Sequence, residues 1–157
     1  MIQAIAHPTD FSTESDVAFE HALGLPVVFT CRLDLLHVRS PKDQNEAPSF
    51  PRVRETLARW GLLSPAAPVD HIISQLGVKV RKIEVRDTDA TAGVVNFLLS
   101  HRPDLIVLAT HGPAGMTRWL LGSISEGVAR KTHSPTLFFG PKAQAFTDAL
   151  SGKLRLK

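Results

Sequence analysis

The residues best suited to chemistry lie in one stretch of the sequence, residues 105–125. It opens with the apolar run Leu105–Ala109, which predicts a short strand buried on both faces, as parallel sheets require. A helix is predicted to begin near Ser123. The break between them contains three glycines: Gly112, Gly115 and Gly122. A strand, a glycine-rich loop and a helix start in this order can place backbone N–H groups around an anion, usually a phosphate.

Ser123 also fits a purely structural role. With Glu126 it matches a capping box, in which the serine caps the helix and the glutamate returns a bond to the serine N–H. That role does not account for Gly112 and Gly115, so both interpretations of Ser123 stay open. The stretch lacks Gly-x4-Gly-Lys-[Ser/Thr] and Gly-x-Gly-x2-Gly, which argues against a P-loop and against a dinucleotide site.

Other polar residues are predicted near the ends of strands. Asp10 can accept hydrogen bonds from ribose hydroxyls, or serve as a turn residue before a helix cap. His7, His37 and His111 could share one sheet edge, but they lack HExxH spacing and a cysteine partner. We expect no metal site. No Gly-x-Ser-x-Gly elbow is present, and no catalytic residue is predicted.

The elements that must position these residues follow from hydrophobic periodicity and turn signals. Strands are predicted at about 2–7, 32–38, 78–85, 105–109 and 136–139, and helices at about 12–25, 53–60, 68–76, 90–101 and 123–132. Pro26 is expected to end the first helix, and residues 27–31 are ambiguous. Residues 146–150 could form one or two helical turns. The alternation predicts an α/β fold with a mainly parallel sheet, which binds ligands beyond the carboxyl ends of its strands.

Composition limits the class of protein. The chain has 157 residues and a mass of 17.1 kDa, which suits one domain. Its net charge of +3 is more than supplied by four residues near the end of the chain: Lys142, Lys153, Arg155 and Lys157. The near-neutral remainder does not favour a nucleic-acid partner. A single cysteine rules out an internal disulfide, and without a signal pattern or long apolar run we expect a cytoplasmic protein with no membrane partner.

The full series of blocks resembles the universal stress protein family. Residues 8–12, Pro-Thr-Asp-Phe-Ser, are similar to the family's opening, as are 35–38 at the second strand and 104–108 before the loop. Most specific is the family's nucleotide loop, Gly-x2-Gly-x9-Gly-[Ser/Thr], which appears here as Ala109-x2-Gly112-x9-Gly122-Ser123. Residues 134–137 resemble the last strand, so the resemblance covers about residues 2–140.

The resemblance implies a three-layer α/β/α fold of the adenine nucleotide alpha hydrolase-like type, with five parallel strands in the order 3-2-1-4-5. It implies that ATP or a related adenine nucleotide binds, alone or with Mg²⁺, as a regulatory ligand in stress response. Asp10 and Val38 would hold the nucleoside, and Gly112, Gly122, Ser123 and Ser125 the phosphates. The complete implied site is Pro8, Thr9, Asp10, Val38, Ala109, His111, Gly112, Gly115, Gly122, Ser123, Ile124 and Ser125.

The resemblance also implies a domain at residues 1–141, followed by a basic tail at 142–157, and a homodimer paired through the last strand, Thr136–Phe139. Little or no hydrolysis is expected. Ala109 replaces the motif's first glycine, Pro113 stands where many members carry a basic residue, and acids at 87 and 89 stand where many have a glycine. A second function stays open: a dimeric interaction module of the same fold that binds no nucleotide.

Overall fold

The computed structural model of the protein describes residues 1–44, 50–110, 122–140 and 143–155. Its elements follow in the order β1 (Ala4–Pro8), α1 (Thr13–Phe29), β2 (Arg32–Arg39), α2 (Val53–Arg59), α3 (His71–Leu76), β3 (Lys79–Arg86), α4 (Ala90–His101), β4 (Leu105–Ala109), α5 (Ser123–Lys131) and β5 (Thr136–Phe139). Most predicted boundaries differ from these by three residues or fewer. None of the helices in these ranges is long and apolar enough to cross a membrane.

The five strands form one parallel sheet in the order β3-β2-β1-β4-β5, which confirms the predicted fold class. One apolar core lies between the sheet and the helices α1 and α2, and a second lies between the sheet and α4 and α5. Ile5 of β1, for example, lies opposite Leu33 on one side and Leu105 on the other, and it has no exposed surface. The central strands are therefore buried on both faces, and ligands are expected beyond their carboxyl ends.

The first helix continues beyond the predicted stop at Pro26 and ends at Phe29, so that prediction was wrong. Proline removes one N–H group, but Pro26 falls in the last turns of the helix, where only one intrahelical bond is lost. Its own carbonyl accepts the N–H groups of Thr30 and Cys31, and Thr30 adopts the left-handed conformation that closes the helix. The ambiguous residues 27–29 are therefore helical.

The end of the chain also differs from the prediction. Within residues 143–155 there is no helical turn of the kind expected around Phe146. Thr147 instead forms an isolated antiparallel bridge with Leu154, and Asp148 accepts hydrogen bonds from the turn between them. Phe146 and Leu154 pack against the core beneath α1. Apolar spacing in a short segment did not reveal this conformation because long-range packing fixes it.

Candidate functional site

One cavity of about 220 Å³ opens at the carboxyl ends of the central strands. It is lined by Pro8, Thr9, Asp10, Ser15, His37, Val38, Ala90, Val94, Leu108, Ala109, Thr110, Gly122, Ser123, Ile124 and Ser125. Every residue of the predicted site that the structure describes therefore lies on this cavity. His111, Gly112 and Gly115, together with Pro113, fall outside the described residues.

Asp10 combines the two roles considered from the sequence. Its Oδ1 atom accepts the N–H of Ser12 at 2.9 Å, which makes a turn between β1 and α1. Ser12 in turn caps the helix, since its hydroxyl accepts the N–H of Ser15 at 3.2 Å. Asp10 itself is exposed, and its Oδ2 atom makes no hydrogen bond within the described residues. The Oδ1 atom thus fixes the turn, while the Oδ2 atom is left without a hydrogen-bond partner among the described residues.

The turn that carries Asp10 is strained. Phe11 has a φ of 63°, a left-handed conformation that is uncommon for a bulky residue and costs about 1–3 kcal/mol. Its ring packs against His37, with ring centres 4.1 Å apart, and against Phe50 at 5.4 Å. These contacts hold Phe11, and they fix the position of Asp10 beside the cavity.

His37 lines the cavity, and it forms the local hydrogen bond that is common for a histidine at a strand end. Its Nδ1 atom lies 2.9 Å from the carbonyl oxygen of Thr9, and in the tautomer that donates there the ring links the ends of β1 and β2. His7 points into the core instead, where it bonds the carbonyl oxygen of Val107 and burial lowers its pKa to about 4. Across the described ranges, no cluster of three histidine, cysteine, aspartate or glutamate residues could hold a metal ion.

The opposite wall of the cavity is apolar. Val38 at the end of β2, Leu108 of β4 and the first turns of α4, at Ala90 and Val94, contribute it. Such a slot between a strand end and a helix suits a planar ring, because it replaces water by apolar surface on the faces of the ring. No signal in the sequence marked Ala90 or Val94 as site residues, since both read as positions of an amphipathic helix.

Asp87 and Asp89 do not reach this cavity. Asp89 caps α4, because its Oδ1 atom accepts the N–H of Ala92 at 3.0 Å. Asp87 accepts the N–H of Asp89 at 2.9 Å. Both acids are thus used in the turn before α4, as a cap and its support.

The start of α5 departs from the predicted capping box. Gly122 is the N-cap and Ser123 is the first helical residue, while Glu126 pairs with Arg130 at 2.9 Å instead of bonding back to the serine. The reason lies in the base of the preceding loop. Gly122 donates its N–H to the carbonyl oxygen of Thr110 at 2.8 Å, and a Cβ at this position would lie 3.0 Å from that oxygen. A side chain here would therefore require the Thr110 backbone to shift by a few tenths of an ångström.

Two serines at the start of α5 have different roles. Ser125 is buried, and its hydroxyl lies 3.3 Å from the carbonyl oxygen of Thr110 and 3.0 Å from that of Gly122. Ser125 therefore closes the base of the loop. Ser123 is exposed on the cavity, and its hydroxyl makes no hydrogen bond within the described residues.

The backbone of this helix start is open as well. The first helical bond runs from the N–H of Glu126 to the carbonyl of Gly122, so the N–H groups of residues 123–125 have no acceptor within the helix. No side chain in the described ranges caps them. Among the described lining residues the only formally charged group is Asp10, so the positive end of α5 is the part of this lining that attracts an anion.

Ala109, in place of the motif's first glycine, is the last residue of β4, where it pairs with Phe139 of β5. It is not among the residues of positive φ, so its methyl group causes no backbone strain. It contributes to the cavity wall next to Leu108. The substitution is therefore compatible with the strand.

The fold has counterparts among known proteins. The model of the universal stress protein family matches residues 1–139. The chain belongs to the universal stress protein family. Its relatives include Universal stress protein MJ0531 of Methanocaldococcus jannaschii, 29% identical over 140 residues that cover 87% of this chain and 81% of the relative.

Solved structures share the fold of this universal stress protein. The protein MJ0577 from the same archaeon has a TM-score of 0.63 at 23% identity, with 92% of this chain and 99% of the other covered. A family member from Arabidopsis thaliana, solved with AMP bound, has a TM-score of 0.52 at 18% identity, with 90% and 93% covered. At these identities the likeness shows the fold, and the bound AMP is a property of the Arabidopsis protein.

Proposed function

We propose that this universal stress protein binds an adenine nucleotide in the cavity at the carboxyl ends of β1, β2 and β4, with ATP as the regulatory ligand in a stress response. The observation that carries the proposal is the open start of α5. Its first N–H groups have no acceptor within the described residues, and Ser123 lines the same cavity as a turn-held carboxylate and an apolar slot. Those three features match the three parts of a nucleotide.

Each part of the ligand has its own residues in this proposal. The phosphates bind the N–H groups of Ser123 and Ile124 and the Ser123 hydroxyl, because a helix N-terminus stabilises negative charge. The ribose hydroxyls donate to the Oδ2 atom of Asp10. The adenine lies against Val38 and the first turn of α4. Mg²⁺ would accompany the phosphates, since it is bound chiefly by phosphate oxygens and water.

Two of the predicted phosphate ligands have a different role in this proposal. The Gly122 N–H and the Ser125 hydroxyl already bond the carbonyl of Thr110, so they support the loop and do not bind phosphate through those groups. Hydrolysis is not part of the proposal. The cytoplasmic location stays a prediction from the sequence.

A calorimetric titration with ATP tests the proposal, and Ala90→Trp supplies the matched variant. Ala90 is exposed and lines the slot, so an indole there should fill the adenine position without disturbing the core. Ala129→Trp, on the exposed side of α5 away from the cavity, is the control. We expect the wild type and Ala129→Trp to bind equally, and Ala90→Trp to lose at least about tenfold in affinity, or about 1.4 kcal/mol.

The absence of heat or thermal stabilisation at millimolar ATP would contradict the proposal. It would leave the dimeric interaction module as the function.

We also propose a homodimer through β5, because this strand pairs only with β4 in the described part of the chain and Leu137 is 37% exposed on it. Leu137→Lys should then shift the mass measured by light scattering from dimer to monomer.

A further inference from the structure

The C-terminal segment, residues 143–155, has no part in the proposed nucleotide site, and it lies beyond the part of the chain that the family model matches. It nevertheless packs firmly on the body. Thr147 is 1% exposed, and Trp60, next to α2, donates its indole N–H to the carbonyl oxygen of Ala149 at 3.1 Å. Gly152 has a φ of +65°, and a Cβ there would lie 2.4 Å from the Trp60 ring. The segment thus packs in one defined position, and its contacts with the body form what we call the packing interface.

His21 of α1 lies at the centre of this packing interface. Its ring is stacked between Phe139 of β5, with ring centres 4.2 Å apart, and Phe146 of the segment, at 4.4 Å. The residue is 1% exposed, and neither ring nitrogen has a hydrogen-bond partner in the described ranges. Burial of this kind disfavours the charged ring and lowers the pKa of His21 to about 4. His21 therefore stacks as a neutral aromatic ring.

No charged neighbour among the described residues contributes to this shift. The titratable and charged groups on the elements around His21 are His7 on β1, Glu14, Asp16 and Glu20 on α1, and Asp148, Lys153 and Arg155 in the segment, while β4 and β5 carry none. Glu20 pairs with Arg59 of α2 at 2.5 Å, and Asp148 pairs with Arg155. None of the ion pairs in the described structure involves His21. Burial is therefore the cause of the lowered pKa of His21.

The packing interface is connected to the proposed phosphate site through backbone hydrogen bonds. The carbonyl of Phe139, whose ring covers His21, accepts the N–H of Thr110 at 2.9 Å and lies 3.3 Å from its hydroxyl. The carbonyl of Thr110 in turn accepts the Gly122 N–H that fixes the start of α5. A shift of Phe139 would be transmitted to this helix start through only two peptide groups.

We propose that the C-terminal segment is an acid-sensitive clamp on the phosphate end of the nucleotide site, with His21 as the positioning residue that holds it. Protonation of His21 separates the ring from Phe146, releases residues 143–155 and loosens the support of Thr110 beneath α5. This proposal rests on the proposed function only for its second step. The first step, release of the segment by acid, is independent of any nucleotide.

The direction of the pH dependence follows from the two states of His21. When the segment is released, water reaches the ring and the pKa of His21 rises towards the ordinary histidine value of about 6.5, whereas with the segment docked it is about 4. The released state therefore binds more protons between these values, and docking becomes weaker as the pH falls. We expect the docking equilibrium constant to be unchanged above pH 7 and to fall about tenfold per pH unit between about 6.5 and 4.

Trp60 reports this release directly. The chain has two tryptophans, so Trp119→Phe leaves Trp60 as the single fluorophore, covered by the segment. Acrylamide quenching of Trp60 is measured from pH 7.5 to 4.5 in this background, while far-ultraviolet circular dichroism confirms that the body stays folded. We expect quenching to increase as the pH falls below 6.5. With His21→Phe added, which keeps the stack but cannot be protonated, quenching should stay low throughout.

Two results would overturn the clamp. One is the same acid response with and without His21→Phe, which would assign the response to another group such as His7. The other is no acid response in either protein. If His21→Phe fails to fold, Phe146→Ala replaces it, because Phe146 is partly exposed and lies outside the family fold. Phe146→Ala should expose Trp60 already at pH 7.5, and a still-covered Trp60 would contradict the stack as the attachment.

The coupling to the nucleotide site is tested by ATP titration at pH 7.5 with Phe146→Ala. Loss of the clamp should weaken ATP binding by at least about fivefold, a common size for coupling between sites. Unchanged affinity with a released segment would overturn the coupling. No ATP binding in the wild type would contradict the proposed function, and the quenching result would still decide whether the segment is released by acid.

Discussion

The three longest helices, α1, α4 and α5, all begin at the carboxyl edge of the sheet, and they differ in how their first N–H groups are used. In α1 the hydroxyl of Ser12 accepts one of them, and in α4 the carboxylate of Asp89 does so. In α5 no side chain of the described residues does. The protein is able to cap helices at this edge, yet it leaves open the one that begins with Ser123 on the cavity.

An absent cap alone does not make a site. The short helices α2 and α3 also lack a side-chain cap bond, and neither contributes a residue to the cavity. What sets α5 apart is the combination of open N–H groups with Asp10 and the apolar slot around one cavity. The comparison of helix starts therefore identifies a binding position only when the cavity is considered with it.

Ser123→Asp is expected to have the largest effect on nucleotide binding. It places an acid in the first turn of α5, so that this helix start is no longer open. The helix itself should tolerate or gain from the charge, because acids are favourable near a helix N-terminus. Nucleotide binding should weaken by about 100-fold, since the carboxylate occupies the phosphate position and repels it. The measurement is a calorimetric titration with ATP.

Ser123→Asn is the matched control for that experiment. It has nearly the same size as aspartate without the charge, and it should reduce affinity by no more than about tenfold. Equal losses in the two variants would mean that shape, and not charge, governs the start of α5. Equal affinity of Ser123→Asp and the wild type would remove Ser123 from the site altogether.

The next two variants remove the existing caps from α1 and α4. Ser12→Ala and Asp89→Ala each remove one cap bond, and we expect each to lower the free energy of unfolding by about 1 kcal/mol. Neither side chain lines the cavity, so ATP affinity should change less than twofold. Urea unfolding and titration are compared for the same proteins. A variant that kept its free energy of unfolding but no longer bound ATP would show that the cap residue binds the nucleotide and does not stabilise the helix.

The smallest effect is expected at Glu126. A capping box would make this residue worth about 1 kcal/mol, but Glu126 only forms an exposed pair with Arg130. Glu126→Ala, which removes any side-chain acceptor, should therefore change the free energy of unfolding by less than about 0.5 kcal/mol. A loss above 1 kcal/mol would show that the box predicted from the sequence forms in solution.

Much of the fold could be predicted from the sequence. The continuous apolar run of β4 and the alternation of strands and helices gave the fold class, and the resemblance gave the strand order. The site could be predicted where it depends on strand ends, as for Asp10 and Val38. These are local features, and they keep their meaning in any parallel sheet.

The remaining features depend on contacts between distant residues. Pro26 lies inside a helix because bonds from Thr30 and Cys31 complete the last turn. The capping box at Ser123 gives way to the bond between Gly122 and Thr110, which are 12 positions apart along the chain. The C-terminal segment takes its shape from His21 and Trp60. No local pattern contains this information.

The most direct test of the central claim is the response of individual backbone amides to ATP, followed by ¹⁵N–¹H correlation spectra. Phosphate bound at the open helix start should shift the amides of Ser123 and Ile124 most, while the capped amide of Ala92 in α4 stays close to its original position. Saturating ATP that leaves Ser123 and Ile124 unshifted, while other amides respond, would contradict the account.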